Sequence, residues 1–376
     1  MYKRRLDLKA LTNKTNYFLF GPRATGKTSL IKAELKQSQI FDLLDDDVYE
    51  ELLRRPKALE EKIKNPKNII VIDEVQKLPK LLDEVHRLIE EKKYRFLLTG
   101  SSARKLKREG VNMLGGRARE AHLYPLTHAE LTDFNLMKYL NYGGLPIVYQ
   151  SQEPEEDLKA YTRVYLSEEI KAEAAVRNYE RFVRFLETMA LSNGQEINYQ
   201  KLSSDSGVPA RTIEGHIEVL KDTLIGFELS PYQKTLKRKA TTKSKFYFFD
   251  NGVANFLAQK LPLKENHADT GHSFEQFLIN EVRAYLSYKS KNHKLTYWRT
   301  KGYKVDLLVG EELGLEIKFS KHISDSDFKG LLALKEEKRI KTLLLVGRFS
   351  ADGKHQGITY LSYESFLKKL WADEFL

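Results

Sequence analysis

An α/β protein in three regions is what this chain predicts: a parallel sheet flanked by helices at the N-terminus, a mainly helical middle, and a second, smaller α/β unit at the C-terminus. Three observations carry that expectation. Residues 14 to 130 alternate short apolar strands with helical stretches, the pattern of a parallel sheet with helices on both faces. Residues 135 to 230 lose the strands, and Tyr161–Ala174 and Tyr179–Ser192 carry apolar residues at three- and four-residue spacing. From Gly271 a long helical stretch returns to strands. At 376 residues the chain suits two or three such regions, with expected bounds 1–132, 133–260 and 261–376.

In order, the first region offers a strand at Tyr17–Phe20, a helix at Thr28–Lys36, a strand at Asn68–Ile72, a helix at Leu81–Glu91 and a strand at Arg95–Thr99. Between the first strand and its helix lies Gly21-Pro22-Arg23-Ala24-Thr25-Gly26-Lys27-Thr28, which satisfies G-x-x-x-x-G-K-[ST] at every fixed position. Glycines let such a loop curl until its N–H groups face phosphate oxygens, and the helix N-terminus adds positive potential. In this P-loop reading residues 21–28 and Ser29 hold the phosphates of ATP, Lys27 reaches the β- and γ-phosphates, and Thr28 ligates Mg2+.

The apolar strand Ile69-Ile70-Val71-Ile72 delivers Asp73 to the metal at its carboxyl end, where α/β folds place ligands. Glu74 follows, positioned to polarise the attacking water. The third strand ends in Gly100-Ser101-Ser102, and the Ser101 hydroxyl is expected to sense the γ-phosphate. Transition-state charge calls for an arginine; Arg117, after Gly115-Gly116, is the candidate, with Arg119 second. Acting within the chain it needs no partner, whereas acting from a neighbour it requires a homo-oligomer.

These strings occur in an order that resembles one group of the AAA superfamily. Gly21-Pro22-Arg23, Asp73-Glu74-Val75-Gln76, Leu98-Thr99-Gly100-Ser101-Ser102, Leu114-Gly115-Gly116-Arg117 and Pro125-Leu126-Thr127 with Glu130 are similar to those of bacterial and archaeal ATPases whose C-terminal half is a domain of unknown function. The likeness continues through Tyr142-Gly143-Gly144-Leu145-Pro146, Phe249-Asp250-Asn251-Gly252 and Phe274-Glu275. Asn251 departs from it, standing where that group commonly has Thr or Ser. The resemblance implies a P-loop NTPase domain and a winged helix in the middle region.

The middle region independently reads as helix-turn-helix: Tyr199–Ser206, a turn at Gly207-Val208-Pro209, then Ala210–Leu224. Arg211, Thr212 and Lys221 would suit a nucleic-acid groove, but Glu214 and Glu218 repel phosphate, so a packing module is an equal reading. In the following polar segment, Lys234, Lys237, Arg238, Lys239, Lys243 and Lys245 are the stronger phosphate-binding candidates. The net charge of +11 agrees with a polyanion partner, DNA above RNA.

In the last region the expected elements are a helix at Phe274–Tyr288, strands at Leu295–Arg299, Lys304–Val309 and Leu315–Phe319, a helix near Asp325–Glu337 and a strand at Thr342–Val346. Period-two geometry puts Glu316 and Lys318 on one strand face, and a hairpin through Gly310–Gly314 brings Asp306 beside them. Asp306 and Glu316 would hold a magnesium ion, Lys318 would orient the water, and Glu275 on the preceding helix would add an oxygen. This set resembles the PD-(D/E)xK core of restriction endonucleases and junction resolvases, which implies a nuclease-like fold and leaves open whether it cuts.

The first function to expect is therefore an Mg2+-dependent ATPase coupled to nucleic-acid binding or processing. The alternative is a nucleotide-controlled switch or scaffold whose nuclease-like domain does not cut. A metabolic kinase fits poorly, because no acceptor site is visible. The absence of cysteine excludes disulfides and thiolate sites. The basic start Met1-Tyr2-Lys3-Arg4-Arg5 leads into Leu6-Asp7-Leu8-Lys9 rather than an apolar core, unlike a signal peptide. No apolar run approaches the roughly 20 residues of a membrane span, so no membrane partner and a cytoplasmic setting are expected.

Overall fold

The computed structural model describes residues 2–102, 114–166 and 179–376. It separates into two compact units, the first containing residues up to Tyr124 and the second most of the chain from Pro125 onward.

The first unit is built on five strands: β1 (Asn16–Phe20), β2 (Gln39–Asp42), β3 (Ile70–Asp73), β4 (Phe96–Gly100) and β5 (Ala118–His122), in the order β2-β3-β4-β1-β5. Every neighbouring pair is parallel. Strands β1, β3 and β4 are buried along their whole length, which explains their unbroken apolar runs in place of alternation. Phe18, Phe20, Ile70, Ile72 and Leu98 form the core with Leu81, Leu82, Val85 and Leu88 of the helix Leu81–Lys92. Register then fixes the site. Phe20 stands opposite Gly100 and Ile72 opposite Leu98, so the segments leaving β1, β3 and β4 emerge together at one sheet edge.

The second unit contains an eight-stranded mixed sheet. Its strands are β6 (Gly226–Pro231), β7 (Lys245–Phe248), β8 (Leu295–Arg299), β9 (Lys304–Val309), β10 (Leu313–Lys318), β11 (Thr342–Gly347), β12 (Gly353–His355) and β13 (Ile358–Ser362). Their order is β12-β13-β11-β10-β9-β8-β6-β7. Strands β6 and β7 fall within the stretch expected to form the helical middle, yet they extend the C-terminal sheet, because β6 pairs in parallel with β8 through Ser230 and Pro231. The helix Ala268–Tyr288 buries Phe274, Phe277, Leu278, Ile279 and Val282, and the Phe274 ring lies 5.4 Å from that of Phe319.

Before that sheet come mainly helices, including Tyr179–Leu191, Tyr199–Ser206 and Ala210–Asp222. Gly207, with φ 67°, ends the second of these in the left-handed conformation that glycine adopts without a Cβ penalty. Leu202, Val208, Ile213 and Ile217 are buried, as their spacing requires. Of the expected helix Tyr161–Ala174, residues Tyr161–Leu166 form a single wide π-type segment, and the remainder lies outside the described residues. No described helix is long and apolar enough to cross a membrane.

Candidate functional site

The loop leaving β1 wraps closely around its own helix start. Gly21 admits no side chain, since a Cβ there would stand 2.5 Å from the Leu123 carbonyl oxygen. Gly26 takes φ 92° just before the helix Lys27–Glu34. The Lys27 side chain folds back over the loop, with Nζ donating to the carbonyls of Gly21 at 2.7 Å and Pro22 at 3.3 Å. Arg4, missed in the sequence, braces the same loop by donating to the carbonyls of Thr25 at 2.6 Å and Tyr124 at 2.5 Å.

Across from the loop, Thr28 Oγ1 donates to Asp73 Oδ2 at 2.9 Å. The other oxygen, Asp73 Oδ1, accepts from the Thr99 hydroxyl, which also lies 3.4 Å from the Glu74 N–H. Hydroxyl and carboxylate oxygens at this spacing suit a small hard cation. Asp73 is 5% exposed, yet neither it nor Glu74 forms an ion pair with any described residue. A buried carboxylate without a cationic partner is costly.

Glu74 adopts φ 57°, a left-handed conformation that costs a non-glycine residue about 1 kcal/mol or more. That twist turns its carboxylate toward Gln76, whose Nε2 donates to Glu74 Oε2 and, at 3.0 Å, to Ser101 Oγ. Ser101 therefore meets the site through Gln76. Gln76 was legible only as part of the Asp73-Glu74-Val75-Gln76 string, without a role.

Arg117 lies away from the phosphate-binding loop of its own chain. It precedes β5, whose residue Ala118 pairs with Asn16 at the start of β1, whereas the phosphate-binding loop leaves β1 after Phe20. The length of β1, roughly 15 Å, separates the two. Arg117 is also engaged, with Nε on Glu90 and Nη1 3.4 Å from the Gly115 carbonyl. An arginine on the amino side of a parallel sheet does not reach the carboxyl side, so Arg117 does not serve its own loop. Arg119, opposite Tyr17, lies toward the same end.

In the second unit, β9 and β10 form the expected hairpin, with Leu313 opposite Val309 and Leu315 opposite Leu307. Asp306 Oδ2 accepts from the Ile317 N–H at 2.9 Å, and Glu316 lies beside it, paired with Lys318 at 2.7 Å. Every carboxylate of the expected set has a lysine. Asp306 Oδ1 pairs with Lys304 Nζ at 3.0 Å. Glu275 Oε1 pairs with Lys245 Nζ at 2.9 Å and accepts from the Tyr247 hydroxyl at 2.6 Å. Burial raises the Asp306 carboxyl, but Lys304 and then Lys245 outweigh it and hold the group below its ordinary range. Burial and the Asp306 charge instead push Glu316 up, and its Oε2 has no hydrogen-bond partner.

Among the described residues no group of three or more His, Cys, Asp or Glu side chains is arranged to hold a metal ion. One oxygen each of Asp306, Glu275 and Glu316 is taken by an ammonium group, while Glu316 Oε2 has no hydrogen-bond partner, so a divalent cation would compete with these lysines. Lys304 was missed in the sequence, although it sits two residues before Asp306 on the same strand face. A close approach helps frame this strand end, since a Cβ at Gly330 would stand 1.9 Å from the Lys304 carbonyl oxygen.

The basic segment after β6 is also committed elsewhere. Lys234 pairs with Glu311 at 3.2 Å, Lys237 with Glu336 at 3.8 Å, and Arg238 with Glu336 at 2.7 Å. Glu337, fully buried, accepts from the N–H groups of Leu236 and Lys237 and anchors the segment. Of the six candidates, Lys239 and Lys243 form no ion pair with a described residue.

The strand order and loop geometry of the first unit define a parallel α/β domain with a glycine-bent loop between its first strand and helix. Residues 13–132 match the family model described as an AAA domain, so this region is similar to AAA-superfamily ATPase domains. Residues 133–264 and 270–366 match two models described as domains of unknown function, DUF8612 and DUF4143. Similar whole chains include an uncharacterized protein of Mycobacterium tuberculosis strain H37Rv, 27% identical over 325 residues that cover 82% of this chain and 71% of the relative. Another is an uncharacterized protein of Methanocaldococcus jannaschii, 25% identical over 345 residues, 81% of this chain and 74% of the relative. A solved structure, a signal transduction ATPase with numerous domains and a tetratricopeptide repeat sensor from Pyrococcus horikoshii, aligns at 17% identity with a TM-score of 0.24. It covers 77% of this chain and 48% of that one.

Proposed function

We propose that this chain binds ATP with Mg2+ at residues 21–29 and hydrolyses it, and that turnover is coupled to nucleic acid held by the second unit. The observation that carries the reading is the set of Lys27 Nζ over its loop carbonyls and Thr28 Oγ1 on Asp73 at 2.9 Å, within a region similar to AAA domains. Lys27 would exchange the loop carbonyls for β- and γ-phosphate oxygens. Thr28 and Asp73 would hold Mg2+, which supplies charge neutralisation for the phosphoryl group. Glu74 would take a proton from the attacking water, with Gln76 setting its carboxylate and linking it to Ser101.

Arg117, distant from its own loop, would contribute only from a second copy of the chain. That form of the reading predicts turnover per chain that rises with protein concentration and loses the rise in Arg117→Ala.

Two versions of the nucleic-acid half differ in whether the second unit cuts. The lysine on each of Asp306, Glu275 and Glu316 supports the version that binds without cutting. The test is phosphate release with and without single-stranded, duplex and branched DNA, run beside a cleavage assay in Mg2+ or Mn2+. Stimulated turnover without cleavage is expected. Cleavage that disappears in Asp306→Ala would establish the cutting version, and turnover indifferent to every nucleic acid would remove the coupling.

A further inference from the structure

Two cavities adjoin in the second unit. One, of about 450 Å³, is lined by Lys201, Lys243, Lys245, Arg299 and Lys304 beside Asp306. Glu196, Glu275 and Asp306 answer three of its five cations, leaving an excess of positive charge. Lys201 and Lys243 enter no ion pair among the described residues. The other cavity, of about 480 Å³, is lined by Ile197, Tyr199, Gln200, Thr242 and Ser244 with one carboxylate, Glu228, and the two share Asn198 and Lys243. Tyr199 is 39% exposed, and the amides of Asn198 and Gln200 and the hydroxyls of Thr242 and Ser244 line the same cavity.

We propose that the two cavities together bind single-stranded nucleic acid without a metal ion, with lysine ammonium groups on backbone phosphates and the Tyr199 ring against a base. The inference rests on the nucleic-acid half of the proposed function and not on its ATPase half. Phosphates need cations, which the first cavity supplies in excess. A base face needs an aromatic platform, and polar side chains around that platform suit base edges. A duplex keeps its base faces stacked inside, so the ring favours a single strand. Lys304 already offsets the charge of Asp306, and Lys201 and Lys243 supply the excess positive charge, so no divalent ion is required for an anionic backbone to approach.

The test uses the full chain and a fluorescein-labelled oligothymidylate of about 12 nucleotides, within the usual span of such sites, read by anisotropy in EDTA. Saturable binding that Mg2+ does not strengthen is expected, and tighter than for duplex of equal length. Affinity should fall with salt. Replacing Lys201 and Lys243 together by Gln should flatten the log–log slope by about 1.4, at about 0.7 for each single-strand phosphate that is no longer neutralised. Tyr199→Ala should weaken binding about tenfold or more, and Tyr199→Phe should restore it, since the ring face survives.

A requirement for Mg2+, a preference for duplex, or full affinity in Tyr199→Ala would overturn the proposal. ATP binding measured on the same preparation separates the two readings: loss of oligonucleotide binding alone sinks this inference, and loss of ATP binding alone sinks the ATPase.

Discussion

Two sets of carboxylates stand out in this molecule, Asp73 and Glu74 in the first unit and Asp306, Glu316 and the helical Glu275 in the second, and they are partnered in opposite ways. Asp73 and Glu74 are held by neutral groups: the hydroxyls of Thr28 and Thr99 and the amide of Gln76. Asp306, Glu275 and Glu316 each touch a lysine. Hydroxyls and amides orient a carboxylate without cancelling its charge, which leaves the first pair able to attract a cation that arrives with a ligand. Ammonium groups offset the charge from within, which weakens the pull of that set on a metal. The same residue type thus acquires a different chemistry from its neighbours.

The largest effect expected on the first side of this contrast is at Glu74. Glu74→Gln should keep ATP binding while turnover falls by about 10²–10⁴-fold, the range for removal of a general base; steady-state phosphate release checks it. Gln76→Ala should act less strongly, lowering kcat by about 10–10²-fold with KM unchanged, because it displaces Glu74 without touching the phosphate loop. An equal change in KM would show that Gln76 contacts nucleotide instead.

On the second side, Lys304→Met removes the counter-ion of Asp306. The variant should gain stabilisation from Mn2+ that the wild type lacks, seen as a rise in Tm of about 2–4 °C for each kcal/mol of binding. Both tryptophans, Trp298 and Trp371, lie in the second unit, so their fluorescence follows its unfolding. Equal responses in the two proteins would erase the distinction between the carboxylate sets.

A smaller effect follows from buried acids away from either site. Burial pushes the Asp250 carboxyl up to about 6 and that of Glu281 up to about 8. Each stays protonated in the folded unit at a pH where the unfolded chain has lost the proton, so stability falls as pH rises from about 5 to 8. Its slope is on the order of 1 kcal/mol per pH unit for each group titrating. Glu281→Gln should flatten the fall between about pH 6 and 8, and an unchanged slope would show that Glu281 does not titrate there.

Much of the first unit was legible because its signals are local. The glycines of residues 21–26, Lys27 and the apolar run into Asp73 lie within short strings, and a parallel sheet gathers their ends. The misplaced Arg117 was avoidable on the same logic, since a residue before a strand parallel to β1 must lie at the far end from the loop that follows β1. Asp306, Glu316 and Lys318 were legible from strand period and a hairpin. Their partners were not: Lys245 reaches Glu275 across 30 residues, and Glu336 and Glu337 meet Lys237 and Arg238 from about 100 residues away. No local pattern announces that a basic segment is already spoken for.

The central claim is the triphosphate grip of the first unit, and titration of the purified chain with a fluorescent ATP analogue and Mg2+ tests it most directly. Saturable binding is expected, displaced by unlabelled ATP and absent in Lys27→Ala. A folded wild type that binds no nucleoside triphosphate, or a Lys27→Ala variant that binds as well as wild type, would contradict it.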